Sequence, residues 1–531
     1  MHNDLSTDFD VNYINGTVRD FISVLKRRGF IVQKGELKYI DILKLCSEGK
    51  VDSCMANNAT APYALCLLPP APNQDPAQGQ DPPKGYDPDN PNNYPPNIDF
   101  IVPGGTYKLR PDESIVIIGK TPPQAVYFSF RSYLGFIQNK PEKDYSGYSV
   151  IGNDETGIYH RIFASLGESI NNFNIWTDQT PRGAAGNPFN SSTAIITTAD
   201  QGINEQVRDA LAAVGYSPYI MNNDNIPMGL VNMGLEKGKD TFLYLMRVAI
   251  WAEKHVGDAY INDLDAFMQV FRITPKIPLA TLNPWPVPDL KFRETGNTEF
   301  QILPDARGDL DHLRNEIINK YGTEEFEHVE LNTNLWEPNS YEGILQDVDV
   351  LGEGRDATYL KTDNFQLRSD DDFVIIYGVN HEQTGKAIYN NNCFYGAKYL
   401  NGIAVANVSV EFQNSAAEYF PEGHENARYY YVCKMAREVA EDCLITIPYS
   451  TGNPSGKAYG VDNNEDAFIG FRAYVDKEAK VGPALFDFIW DRAILFTKRG
   501  KSCKHKRRIS VKTPAEVRSS QFKYIKASSV Q

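Results

Sequence analysis

Two stretches of this chain echo each other, and that echo limits the fold more than any other feature. Tyr107-Lys108-Leu109-Arg110-Pro111-Asp112-Glu113-Ser114-Ile115-Val116-Ile117-Ile118 resembles Phe365-Gln366-Leu367-Arg368-Ser369-Asp370-Asp371-Asp372-Phe373-Val374-Ile375-Ile376, about half the chain later. In each, an aromatic-x-Leu-Arg segment meets an acidic turn and then a run of mostly β-branched residues. Charged residues suit an exposed turn, and Ile/Val runs suit a sheet interior. With a four-residue insertion in the second copy, Ala125-Val126-Tyr127 then matches Ala387-Ile388-Tyr389. The pattern predicts an α+β protein of two β-rich, sandwich-like domains with helical decorations, related by internal duplication.

Composition agrees and places the boundaries. Aromatics at 12%, with Tyr 30 and Phe 27 against Met 8, favour strands. Apolar residues at 42% and charged residues at 23% exclude a disordered or collagen-like chain. Residues 1–68 read as a helical, Cys-containing segment: Val18, Phe21, Ile22, Val24 and Leu25 fall at helix spacing, Phe30-Ile31-Val32 is strand-like, and the helix pattern resumes over 40–46. Residues 69–98 form a Pro-rich linker, 99–274 the first β-rich domain, 275–300 a second Pro-rich connection, 301–497 the second β-rich domain and 498–531 a basic tail. Inside these, 192–198 reads as a strand leading into a helix over 203–214, 242–256 reads as a helix, and 429–431 lead into another over 432–443.

The formal charge is −15, divided unevenly. Eleven Lys/Arg against Glu516 from Lys498 onward give the tail about +10 and leave the body about −25. A body of that sign does not hold nucleic acid non-specifically. The tail reads as a localisation signal or polyanion contact, weighed against a solvated arm; its basic run lacks interleaved aromatics for stacking on bases. No apolar run reaches the 18 or so residues of a membrane span, since Arg247 interrupts the best one, 242–252.

Seven cysteines include no Cys-x-x-Cys pair, and Cys46, Cys54 and Cys66 cluster so that a small disulfide loop is expected. Asn15, Asn58, Asn190 and Asn407 carry the N-glycosylation pattern. The N-terminus has neither a basic start nor an apolar core. The expectation is an extracytoplasmic or secreted glycoprotein whose leader is absent from this chain, with a cytoplasmic protein as the alternative.

One loop concentrates chemistry. Tyr377-Gly378-Val379-Asn380-His381-Glu382-Gln383-Thr384-Gly385-Lys386-Ala387 follows a buried strand, which is a common way to fix a site. His381 has the properties of a general acid/base. Asn380, Thr384 and Lys386 suit an anionic or hydroxylated ligand. The first copy has Lys120-Thr121-Pro122-Pro123-Gln124 there instead. Arg472 and Tyr474 share one strand face and suit a carboxylate or sugar hydroxyls. The structural alternative pairs Arg472 with Asp491 or Asp476. Phosphate-loop, nucleophile-elbow and zinc-protease motifs are missing, and the histidines lack ligand spacing, so neither a metal nor a cofactor is expected.

These residues point first to a protein holding a small polar molecule or glycan between its halves. The alternative is a hydrolase or lyase in which His381 is acid/base, Asp491 its partner, and Arg472 or Tyr474 the substrate clamp. A structural or assembly protein comes third and requires a large exposed apolar surface. The enzyme needs His381 accessible and within hydrogen-bond reach of a second group.

Overall fold

A computed structural model of the chain describes residues 5–48, 53–74, 105–146, 148–153, 157–437, 444–450 and 460–499. Residues 75–104, which include most of the Pro-rich linker (69–98), nearly all of the basic tail (500–531), Cys443 and Cys503 lie outside them. The first half contributes β1 (Phe30–Ile40), β2 (Tyr63–Leu67), β3 (Ser114–Lys120), β4 (Ala125–Gln138), β5 (Val150–Asn153), β6 (Gly157–Ser165), β7 (Ile170–Asn171), β8 (Ser192–Thr198), β9 (Met221–Asn225), β10 (Thr241–Trp251) and β11 (Met268–Pro275). The second contributes β12 (Phe326–Leu331), β13 (Thr333–Leu335), β14 (Ala357–Thr362), β15 (Phe365–Gln366), β16 (Phe373–Val379), β17 (Tyr389–Gly396), β18 (Asn401–Asn407), β19 (Tyr430–Ala436), β20 (Ile445–Thr446), β21 (Asp466–Tyr474) and β22 (Arg492–Lys498).

Strand order makes the duplication explicit. The first half is one sheet, β5-β6-β4-β10-β2-β1-β11-β3-β8-β9, with β7 beside β4. The second half has β18-β17-β21-β14-β13 and β12-β22-β16-β19-β20, with β15 beside β21. From β6 to β9 the first order is matched strand for strand by the second, with the long β1 replaced by β12 and β13. Even the parallel pairs correspond, β8 with β9 and β19 with β20. A helix precedes each first strand: Leu5–Arg27 before β1 and Ala306–Tyr321 before β12.

The two echoed segments occupy the same place in this order. Tyr107 bridges Phe242 at the start of β10, as Phe365 pairs with Ala467 at the start of β21. The alignment read from the sequence slips by one across the following turn. Ile115 and Ile117 face the inner core, but so do Val374 and Ile376, whereas Phe373 and Ile375 face the helix layer. Glu113 accepts from the Arg110 amide and Asp372 from the Arg368 amide, so the second turn carries one extra residue. In a strand a one-residue slip turns every side chain to the other face, so structure and not identity fixes the match.

Each half has three layers. In the first, Val18 and Phe21 of the leading helix, with Ile203 and Val207 of Gln201–Ala212, cover Val116, Ile118 and Ile196. The opposite face of those strands packs on Phe128, Phe130 and Met246 of β4 and β10. In the second, Leu310, Leu313 and Ile317 cover Phe373 and Ile375, and Val374 and Ile376 pack against Phe394 and Phe471.

Three expectations change. Residues 1–68 are not a separate segment, because β1 and β2 are central strands of the first-half sheet. The helix expected over 242–256 is β10, a strand buried on both faces, with a helix only at Lys254–Asn262. The helix expected over 432–443 is β19 as far as Ala436, and 438–443 lie outside the described residues.

The two halves trade loops. Cys54 and Ala56 of the first donate their amides to the carbonyls of Tyr399 and Leu400 in the second, and Val350 and Gly352 return the exchange to Ile162 and Phe163. Both loops turn through the left-handed region at matching places, Met55 (φ 54°) and Ala56 (φ 51°) against Leu351 (φ 52°) and Gly352 (φ 77°). The receiving residues Phe163 (φ 40°) and Leu400 (φ 51°) match as well. A Cys46–Cys54 disulfide ties down the first loop; Cys66, Cys393 and Cys433 are buried and not disulfide-bonded among the described residues. Arg161 to Asp349 and His160 to Asp347, both at 2.7 Å, pin the second.

This exchange generates a paired prediction. A Cβ at residue 352 would meet the Phe163 ring at 2.8 Å in a left-handed backbone, so Gly352→Ala should cost more than about 1 kcal/mol in urea unfolding. Ala56→Gly, which relieves the same conformation, should cost nothing or stabilise by up to about 1 kcal/mol. Equal losses in both variants would argue against equivalent loops.

Candidate functional site

The exchanged loops border a cavity of about 90 Å³ where the halves meet. Ile40, Leu65, Phe136, Leu243 and Leu245 of the first half and Leu351 of the second supply apolar wall. Its polar groups come in matched sets. Arg247 on β10 stands opposite Tyr63 on β2, and Arg472 on β21 stands opposite Tyr359 on β14. All four line the cavity, with Tyr474.

Each arginine reaches the other half's loop. Arg247 Nη2 donates to the Gly352 carbonyl (3.0 Å) and to the Tyr133 hydroxyl; Arg472 Nη2 donates to the Ala56 carbonyl (2.6 Å), and its Nη1 to the Tyr395 hydroxyl. Tyr133 and Tyr395 are equivalent, each six residues after an earlier tyrosine of its strand, Tyr127 or Tyr389. Those two earlier tyrosines meet at the junction, with ring centroids 6.2 Å apart. Tyr474 stacks on Tyr389 at 4.4 Å, and Asn58 Nδ2 donates to both hydroxyls, which buries this glycosylation acceptor. Arg472 pairs with neither Asp491 nor Asp476, contrary to the structural alternative; its strand face turns to the cavity instead.

His381 lies elsewhere and is 1% exposed. Its Nδ1 is 2.7 Å from Glu299 Oε1, and its Nε2 is 3.6 Å from Asp491 Oδ2. Burial alone would lower the imidazole pKa, but the two carboxylates outweigh it and hold it up at about 10. Thr384 Oγ1 donates to the same Glu299 oxygen (2.7 Å), and the Asn380 side chain accepts from the amides of Glu382 and Gln383. Lys386 Nζ binds Asp476 (2.9 Å) and Asp487 (3.1 Å). Asp491 also accepts from the Tyr431 hydroxyl at 2.5 Å. This is a buried polar knot that fastens residues 295–299 to the second half. His381 thus has the charged partner that an acid/base role needs, but not the access. His381, Asp491, Asn380, Thr384 and Lys386 do not line the cavity, whereas Arg472 and Tyr474 do.

The sequence reading missed Arg247, Tyr63, Tyr133 and Tyr359. A signal was present: Ala125-Val126-Tyr127…Tyr133 against Ala387-Ile388-Tyr389…Tyr395 extends the echo already noted. Following it strand by strand leads to both arginines. Among the described residues, no group of His, Cys, Asp and Glu is arranged to hold a metal, and no helix is long and apolar enough to cross a membrane.

No family model matches this chain, and no curated protein does. Among solved structures, it is similar to the VPA0106 protein from Vibrio parahaemolyticus (9% identity, 92% of this chain and 100% of that one, TM-score 0.32). It is also similar to an uncharacterized protein from Burkholderia cenocepacia (11% identity, 92% and 98%, TM-score 0.32).

The knot makes a pH prediction. A histidine whose folded pKa exceeds its unfolded value of 6.5 lends stability that is complete below pH 6.5 and is lost as pH rises toward about 10. Melting temperature should fall across that window, and His381→Gln should flatten the fall. The variant should also lose about 3–5 kcal/mol at neutral pH, because breaking a buried pair strands its carboxylates. A variant as stable as the parent would show that the knot carries no such energy.

Proposed function

We propose that this protein binds a small ligand with polar character in the cavity between its halves. The observation that carries this reading is the equivalent pair Arg247 and Arg472, one from each half, lining one largely apolar cavity. Small-molecule sites combine such walls with a few placed polar groups and favour junctions between domains. A simple packing seam has no use for two guanidinium groups at its centre, because burying charge costs free energy unless it is matched.

The hydrolase or lyase reading has less support. Both ring nitrogens of His381 face carboxylates in a closed site, and the clamp residues proposed for it, Arg472 and Tyr474, belong to the cavity. We place the protein outside the cytoplasm, a reading supported by the Cys46–Cys54 disulfide. Asn190, which is exposed, is the acceptor best placed for a glycan.

Native mass spectrometry of the purified protein tests the reading. A small molecule should accompany the folded chain and be absent from Leu243→Trp, which fills the cavity from its β10 wall. Retention of the same molecule by a folded Leu243→Trp would place it elsewhere and overturn the proposal.

A further inference from the structure

We propose that the ligand is a monocarboxylate with a short apolar body, its carboxylate held by Arg472. This rests on the cavity being the binding site and adds what it recognises. Three arginines line the cavity. Arg161 is neutralised by Asp349 at 2.7 Å, and Arg247 faces Asp356 at 3.8 Å. Arg472 is 4% exposed, yet among the described residues no carboxylate lies within 4.0 Å of it.

The duplication explains the vacancy. Tyr359 and Tyr63 are equivalent, as are Gly352 and Ala56; counting along the two loops, Asp356 corresponds to Thr60. The second half's loop therefore brings the counter-charge of Arg247. The first half's loop brings a neutral hydroxyl, committed to Asn58 Oδ1 at 2.8 Å. Of two equivalent guanidinium groups, one has an internal anion and, among the described residues, the other has none.

What surrounds Arg472 does not replace that anion. Two of its donors go to the Ala56 carbonyl and the Tyr395 hydroxyl, both neutral. The rings of Trp336 (5.0 Å), Tyr395 (5.3 Å) and Tyr359 (5.7 Å) attract a cation, each by about 0.5–2 kcal/mol. Removing an ion from water costs several kcal/mol and needs an anion to repay it. Glu337 and Glu353 line a smaller cavity that Arg472 also borders. Glu353 is engaged by Arg293 (3.2 Å) and Ser340, and burial pushes the Glu337 carboxyl up to about 7 despite Lys361.

The ligand chemistry follows from charge and wall together. A guanidinium fork matches the two oxygens of a carboxylate. Away from it, Ile40, Leu65, Phe136, Leu243 and Leu245 offer hydrocarbon, which suits an alkyl or small aromatic body and not a sugar or a free phosphate.

Calorimetric titration with hexanoate, its neutral isostere hexanamide, and inorganic phosphate tests this. The parent should bind hexanoate at least tenfold more tightly than hexanamide, and phosphate more weakly than either. Arg472→Met should lose that preference. Thr60→Asp, which supplies the first half with the counter-charge found in the second, should also lose it and should melt higher, so the test does not depend on the first variant folding. Equal binding of hexanoate and hexanamide, preferential binding of phosphate, or hexanoate binding unchanged in folded Arg472→Met or Thr60→Asp would overturn the carboxylate while leaving the cavity as a site. If neither organic probe binds the parent, the cavity reading falls and this one with it.

Discussion

Most of what is particular to this molecule depends on two short left-handed turns, at 55–56 and 351–352, through which each half hands a loop to the other. The turns project backbone amides at the partner's sheet and leave two carbonyls, of Ala56 and Gly352, facing inward. Those carbonyls accept from Arg472 and Arg247. Without the exchange, each arginine would lie on an open sheet face in water, where no cavity could form around it. Backbone strain at a few residues thus fixes both the junction and its chemistry.

The same exchange explains why the polar groups fall into two classes. The knot of Glu299, His381, Asp491 and Lys386 is internally matched: each charge meets an opposite charge in the second half or in the connection leading into it. It therefore acts as a fastening for the chain that connects the halves. The cavity groups span the halves and are matched unevenly. Buried polar groups that are fully satisfied rigidify and specify a fold, which is the part the knot plays; the unevenly matched cavity groups are the basis of the binding proposal.

Sequence alone carried a good part of this. The echo of 107–118 in 365–376 was legible because two sheets built alike need the same turn chemistry and the same β-branched run. Its register was not, because one extra residue in the Ser369 to Asp372 turn leaves residue similarity high while reversing the facing. The strand over 241–251 looked helical because it is buried on both faces, and an unbroken apolar run erases the alternation that reveals a strand. Residues 432–436 misled through their helix-favouring continuation. The His381 loop was recognisable as a polar cluster, but its partner Glu299 is remote in sequence and no local pattern announced the pairing. Arg472 and Tyr474 were visible through period two alone, and Arg247 vanished inside the apolar run it interrupts.

Two equivalent halves in one chain have freedoms that two identical subunits lack. In a symmetric dimer every substitution appears twice, so an acid placed to neutralise one guanidinium neutralises its mate, and any ligand at the axis meets the same surroundings from both sides. Here Asp356 and Thr60 sit at matching positions and differ. A single chain thus lets two matching frames hold unequal charge, so their shared boundary can tell one end of a small molecule from the other, which no pair of identical subunits can do at equivalent positions.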